Sequence, residues 1–321
     1  MTSSPRHGIT IPFDGISLPD HRAWFSKLVD LGYTDVWSAE VDGVDGFTPL
    51  ALAAAWEPRL HLGVAIVPAF TRGPALLAQS IAGLAEAAPG RFTFGLGASS
   101  QVIVERWNGI AFENPFRRVK DTLAFLRLAL SGEKVDFSSP SFTVRGFKLA
   151  RPLEVQPELF VAALRPQMLH MATQSGDGAI LNWLSPEDVK TVVEVVGKTA
   201  QLTARIFVLP TQDKDLARFV GRRMITAYLN VEAYAQFHRW LGRGEALQPM
   251  WEAWAAGDRK KALEVIPDDV VDALIINGSY ASCREQIDRY VENGVAIPNL
   301  AIIPVNVDLS EAITQLSPSV R

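Results

Sequence analysis

Eight short apolar runs, most of them followed by a stretch of helical spacing, constrain the fold of this chain more than any other feature. The runs cover residues 7–13, 34–39, 60–69, 91–98, 158–164, 178–184, 203–210 and 299–305. They are near-continuous in Val, Ile, Leu, Phe and Ala instead of alternating, the pattern of parallel strands covered on both faces. Between them the spacing predicts helices over 18–31, 47–57, 72–88, 114–131, 166–175, 186–201 and 280–293. The first repeats through Leu18, Trp24, Leu28 and Leu31 and meets Gly32 at its stop position, while the third has Pro74 near its first turn. Eight alternating parallel units close a barrel better than they form an open sheet. The sequence therefore predicts the α/β class and a (β/α)8 TIM barrel.

Two stretches break the rhythm. In residues 135–150, Phe142, Val144 and Phe147 flank Arg145-Gly146, which reads as a small hairpin insert. Residues 213–275 read as a helical insert, with Tyr228, Val231, Tyr234, Phe237 and Leu241 at three- to four-residue spacing. No linker of flexible composition interrupts the chain, so one domain over residues 1–321 is expected.

With 48% hydrophobic residues a large core can be buried, and a net charge of −4 argues against nucleic acid or an anionic membrane surface as partner. The one cysteine, Cys283, sits in a polar helical stretch and fits a reducing compartment. The opening MTSSPRHGITIPF holds no apolar core of signal-peptide length, and no run approaches the roughly 18 apolar residues of a membrane helix. A soluble cytoplasmic protein acting on a small molecule is expected.

In such a barrel the chemistry sits at the C-terminal strand ends. Those ends carry Phe13 and Asp14, Ala39 and Glu40, Ala65 to Pro68, Ala98 to Ser100, Ala163 to Arg165, Asn182 and Trp183, Pro210 and Thr211, and Pro304. His7 and His61 fall at strand starts, no histidine pair has metal-ligand spacing, and no metal site is expected. Asp14 and Glu40 are the best carboxylate couple, with Asp14 read as a solvated loop carboxylate or helix N-terminal anion. Small apolar strand ends leave room for a flat heteroaromatic ring that brings its own reactivity.

Three segments admit two readings each. Gly95-Leu96-Gly97-Ala98-Ser99-Ser100 lacks the third glycine of a dinucleotide fingerprint and no helix obviously opens on it, so it reads as close packing at a strand end. In Val161 to Met168, Pro166 opens a helix whose free N–H groups at Gln167 and Met168 suit a phosphate, with Arg165 beside them. An ordinary loop with a surface arginine is the alternative. Trp240, Trp251 and Trp254 serve either as core or dimer contacts of the insert or as an aromatic wall over a substrate.

The segments GYTDVWSAE, LHLGVAIVPAFTRGPALLAQ, APGRFTFGLGASS, ERWNGIAFENPFRRVKDTLAFLRLALSGE and FVAALRPQMLHMATQSGDGAILNWLSPE, in this order, resemble the luciferase-like monooxygenase superfamily. Within it the likeness is to actinobacterial F420-dependent oxidoreductases. The resemblance covers nearly the whole chain and implies a luciferase-like barrel with inserts, a homodimer, and the deazaflavin coenzyme F420, with FMN as the alternative. It implies a non-proline cis peptide at Ala65-Ile66, with Val67 next, cradling the ring. It aligns Glu40 with the acid after strand two, Ala98 and Ser99 with the strand-four end, and Ala162, Ala163, Leu164, Arg165, Gln167 and Met168 with the cofactor-phosphate loop, flanked by Asn182 and Trp183. Sugar-phosphate dehydrogenases of the superfamily have a histidine where this chain has Val41 and a glutamate where it has Ser100, which argues against that activity. Many relatives have glycine in place of Arg165. The expected activity is hydride transfer between F420 and a small organic substrate, with Glu40 or a water handling a proton. An FMN-dependent monooxygenase and a non-catalytic cofactor-binding barrel are the rival readings.

Overall fold

The computed structural model describes residues 6–320; residues 1–5 and 321, the ends of the expected domain, lie outside the described part. The fold is a (β/α)8 barrel with inserts. Its residues group into two compact units, one of residues 6–163 and 170–180, the other of 164–169 and 181–320.

In chain order the first unit carries β1 (Gly8–Thr10), α1 (His21–Asp30), β2 (Asp35–Ser38), α2 (Thr48–Trp56), β3 (His61–Pro68), α3 (Pro74–Ala87), β4 (Phe92–Gly97) and α4 (Pro115–Leu130). The hairpin strands β5 (Val135–Ser138) and β6 (Thr143–Phe147) and the barrel strand β7 (Glu158–Ala162) follow; α5 (Pro166–Gln174) and β8 (Gly178–Asn182) run on from there. The parallel order is β1-β2-β3-β4-β7-β8. Every residue of β2 and β4 is buried, as continuous apolar runs require. Helix α1 ends as Gly32 predicts: Gly32 takes φ +86, its N–H donates to Val29 O, and the Tyr33 N–H donates to Leu28 O. That pair of bonds is the Schellman closure, which needs a residue free to adopt left-handed backbone.

The β5–β6 hairpin is antiparallel. It turns at residues 139–142, where Ser139 N–H donates to Phe142 O, and Gly146 forms an irregularity inside β6 with its N–H on Asp136 Oδ1. Phe137, Phe142 and Phe147 all pack on Phe125, so burying three rings on one side sets the register. A helical element does follow β4: a π-helical segment, Val102–Trp107, which wide i→i+5 spacing conceals from a 3.6-residue pattern.

The N-terminal ends of these strands hold a polar belt. Arg6 Nε donates to Asp35, Thr93 Oγ1 donates to Glu158 Oε2 at 2.7 Å, and His61 Nε2 lies 2.9 Å from Thr93 Oγ1. Because the Thr93 hydrogen goes to Glu158, His61 carries its own on Nε2 and donates. Burial, helped by the charge of Arg6, lowers the His61 pKa from its ordinary 6.5 to about 4. The unfolded chain thus binds the proton that the folded chain refuses. Stability is complete above about pH 6.5 and falls toward pH 4, by about 2–3 kcal/mol from this group. Thermal unfolding at pH 7 and pH 4.5 tests this: His61→Gln, which keeps a donor and cannot charge, should flatten the dependence, and an unchanged slope would exclude His61 as its source.

The second unit carries α6 (Pro186–Val196), β9 (Leu202–Leu209), α7 (Lys214–Leu229), α8 (Glu232–Trp240), α9 (Gly244–Ala255), α10 (Arg259–Glu264), α11 (Asp268–Leu274), β10 (Ile276–Asn277), α12 (Tyr280–Glu292), β11 (Ile297–Ile302) and α13 (Leu309–Gln315). Its strands run parallel in the order β10-β9-β11. The two-residue β10 escapes sequence reading because it directly follows a helix. Helices α7–α11 bury Ile225, Leu229, Leu247, Met250 and Val271 together with Trp183, Phe207 and Leu209. Trp251 and Trp254 pack against this cluster, and Trp251 Nε1 donates to Leu229 O, so both serve the insert's own core. Cys283 is buried, and burial pushes its thiol up to about 12. Among the described residues no helix is long and apolar enough to cross a membrane.

Candidate active site

In the first unit the strand ends converge on a bulge in β3. Val64 pairs with Phe94 and Val67 with Leu96, so Ala65 and Ile66 together face one residue, Gly95. The Ala65–Ile66 peptide is cis, as the resemblance implies. The GLG of β4 finds its reason here. A Cβ on Gly95 would lie 2.1 Å from the Val64 carbonyl oxygen, and one on Gly97 would lie 2.8 Å from Ile66 Cγ1 and 3.2 Å from Ala162 Cβ. The glycines admit the bulge, consistent with a close-packed strand end.

Ala65, Ile66, Ala98, Ser99 and Ala162 are half-buried beside fully buried neighbours, so the strand ends present a floor of small groups. Ser99 holds φ +65, a conformation that non-glycine residues adopt rarely and mostly at sites of function. Val67 and Ala163 are buried, the latter donating its N–H to Ile180 O.

Glu40 lies two residues past β2, and its N–H donates to Ile66 O at 3.2 Å, which ties it to the bulge. Arg72, just before α3, ion-pairs Glu40 Oε1. The Arg72 guanidinium also lies over the Phe47 ring at 5.0 Å and 3.8 Å from Asp45. Three buried polar atoms of this group have no protein partner: Glu40 Oε2, Arg72 Nε and Thr71 Oγ1. Burial raises the Glu40 pKa above its ordinary 4.5, against the charge and hydrogen bond of Arg72. Asp45 goes the other way. Burial pushes it up, but hydrogen bonds from the Thr48 hydroxyl and the Phe47 and Thr48 N–H groups outweigh that. Asp45 thus anchors the start of α2, while Glu40 keeps one buried oxygen without a protein partner. Asp14, the other member of the couple proposed from sequence, is exposed.

In the second unit Arg165 and Gln167 are exposed, and Leu164 and Met168 are half-buried. The Met168 N–H is not free as expected, because it donates to Arg165 O within the first turn. Asn182 ends β8, and its Nδ2 donates to Tyr234 Oη at 2.9 Å. Trp183 follows at φ +57, fully buried, its ring 4.3 Å from Phe207 and 5.0 Å from Tyr228. Sequence reading missed Arg72 and Arg205, and gave Tyr234 only as a position in the helical spacing of the insert. An arginine within the apolar run TARIFVLP was the available signal for Arg205. Among the described residues no group of three or more His, Cys, Asp or Glu is placed to hold a metal ion.

The family model for luciferase-like monooxygenases matches residues 2–296. A 5,10-methylenetetrahydromethanopterin reductase of Methanolobus tindarius is 26% identical over 286 residues, 85% of this chain and 87% of that one. A proposed coenzyme F420-dependent oxidoreductase of Mycobacterium tuberculosis is 23% identical over 330 residues, 92% of this chain and 95% of that one. Among solved structures, the coenzyme F420 dependent tetrahydromethanopterin reductase from Methanopyrus kandleri superposes with a TM-score of 0.78 at 19% identity, covering 99% of this chain and 98% of the other, which shows a shared fold. With the family model matching most of its length, this chain belongs to the luciferase-like monooxygenase family.

Proposed function

We propose that this protein is an F420-dependent oxidoreductase that moves a hydride between the deazaflavin and a small organic substrate. The observation that carries the reading is the β3 bulge at Ala65 and Ile66, seated on Gly95 and Gly97 and bordered by half-buried Ala98, Ser99 and Ala162. A flat ring system fits such a floor, and the unpartnered Glu40 Oε2, Arg72 Nε and Thr71 Oγ1 fit a polar ligand beside it. The relatives named for F420 support the same cofactor.

In this reading Ala65, Ile66, Val67, Ala98 and Ser99 carry the ring. In the second unit the exposed Arg165 and Gln167 are the candidates for the cofactor's phosphate. F420 supplies a carbon hydride carrier. The chain's own residues orient the reactants and exclude water, and Glu40 holds or releases a proton at Oε2 while Arg72 fixes Oε1.

Fluorescence titration with oxidised F420 and separately with FMN tests the proposal. Binding of F420 at micromolar levels or tighter, with FMN at least about tenfold weaker, is the expected result. Preference for FMN would replace it with the monooxygenase reading, checked by oxygen consumption with reduced FMN. Binding of neither would remove the cofactor assignment.

A further inference from the structure

In the second unit a charged side chain stands among aromatic rings without a counter-charge. Arg205 lies midway along β9, half-buried, with its guanidinium 5.0 Å from the Phe207 ring two residues on, on the same face of the strand. Among the described residues no carboxylate pairs with it, and its buried Nε has no hydrogen-bond partner. A guanidinium in such surroundings is normally paired, because burial of an unpaired charge is costly.

The neighbours complete a recognition pattern. The rings of Phe207, Trp183, Tyr228 and Tyr234 follow one another at 4.3, 5.0 and 6.2 Å. Tyr234 Oη accepts from Asn182 Nδ2, which leaves its own hydrogen to donate, and burial holds its pKa up at about 12, so it keeps that hydrogen at any physiological pH. Asn182 Oδ1 and Trp183 Nε1 are buried and unpartnered, and Trp183 is 1% exposed. The group therefore offers a cation and neutral donors, one free acceptor and the half-buried rings of Tyr228 and Tyr234.

We propose that Arg205 and Tyr234 recognise the carboxylate of a small planar organic acid whose flat body lies against the half-buried Tyr228 ring. A guanidinium fork matches a carboxylate in two parallel hydrogen bonds, which an ammonium does not reproduce. Only the naming of this acid as the substrate rests on the oxidoreductase reading; its binding does not.

The test is calorimetric titration of the full chain, without cofactor, by trans-cinnamate and by its neutral isostere cinnamamide. The wild type should prefer cinnamate by about tenfold or more. Arg205→Met should abolish the preference, Arg205→Lys should retain a weakened part of it, and Tyr234→Phe should weaken cinnamate a few-fold. Circular dichroism checks that each variant is folded, and the lysine variant carries the test if the methionine variant is not. Equal binding of acid and amide, binding of neither, or a preference that survives the arginine substitutions would overturn the proposal. Loss of F420 affinity in Arg205→Met with the cinnamate preference intact would assign the arginine to the cofactor instead. Because F420 is absent from the primary titrations, a failure of the cofactor reading leaves their outcome readable.

Discussion

Replacing Glu40 by Gln is expected to lower turnover with F420 by about two to three orders of magnitude, while the Kd for F420 changes by less than about threefold. Glutamine keeps the length of the side chain and an oxygen for Arg72, so the tie between β2, Arg72 and the bulge survives. It removes the capacity to take up and release a proton at Oε2, the atom left buried without a partner. A raised pKa brings the two protonation states of Glu40 closer in population near neutral pH than for a solvated carboxylate. The wild-type rate should therefore titrate with a group above the usual carboxylate range, and that limb of the pH profile should vanish in the variant. Single-turnover kinetics across pH supplies the measurement. An unchanged rate would take Glu40 out of the mechanism and leave the proton to water. A collapse of F420 affinity at unchanged chemistry would instead make Glu40 part of the cofactor cradle.

The barrel strands are legible because each is a continuous apolar run, and burial on both faces demands such a run. β3 and β4 lie within a residue of their predicted bounds. β1 and β7 end sooner than predicted, because apolar residues continue past the last ladder bond into the functional loops. Helix ends follow capping chemistry, as with Gly32 after α1. What composition cannot show is the partnership of residues distant in sequence. Arg72 matters through Glu40, 32 positions away, and Tyr234 through Asn182, 52 positions away. The cis bulge at Ala65–Ile66 came from the family likeness, since nothing in the run LHLGVAIVPA marks a break in register. Trp183 reads as a loop residue by position, yet the insert helices bury it; only the packing of α7 and α9 on β9 reveals that.

Gly95→Ala should destabilise the fold by at least about 3 kcal/mol, more than the same change at Gly97 of β4. The added carbon would meet the Val64 carbonyl oxygen at 2.1 Å and Ile180 Cδ1 at 2.4 Å. The first of these atoms is backbone, fixed by the ladder between β3 and β4, and cannot move without undoing the bulge. Gly97→Ala meets the Ile66 side chain at 2.8 Å, which can rotate, so its cost should be about 1–2 kcal/mol and should appear mainly as weakened F420 binding. Gly83→Ala, inside α3 with open space around it, supplies the opposite sign, a gain of about 0.5–1 kcal/mol from helix propensity. Urea unfolding of the three variants orders them. If Gly95→Ala were as stable as the wild type, the close approach of β4 to the bulge would not be what holds Ala65 and Ile66 in place. If Gly97→Ala then left F420 binding untouched, the floor of the site would lie elsewhere than at the ends of β3 and β4.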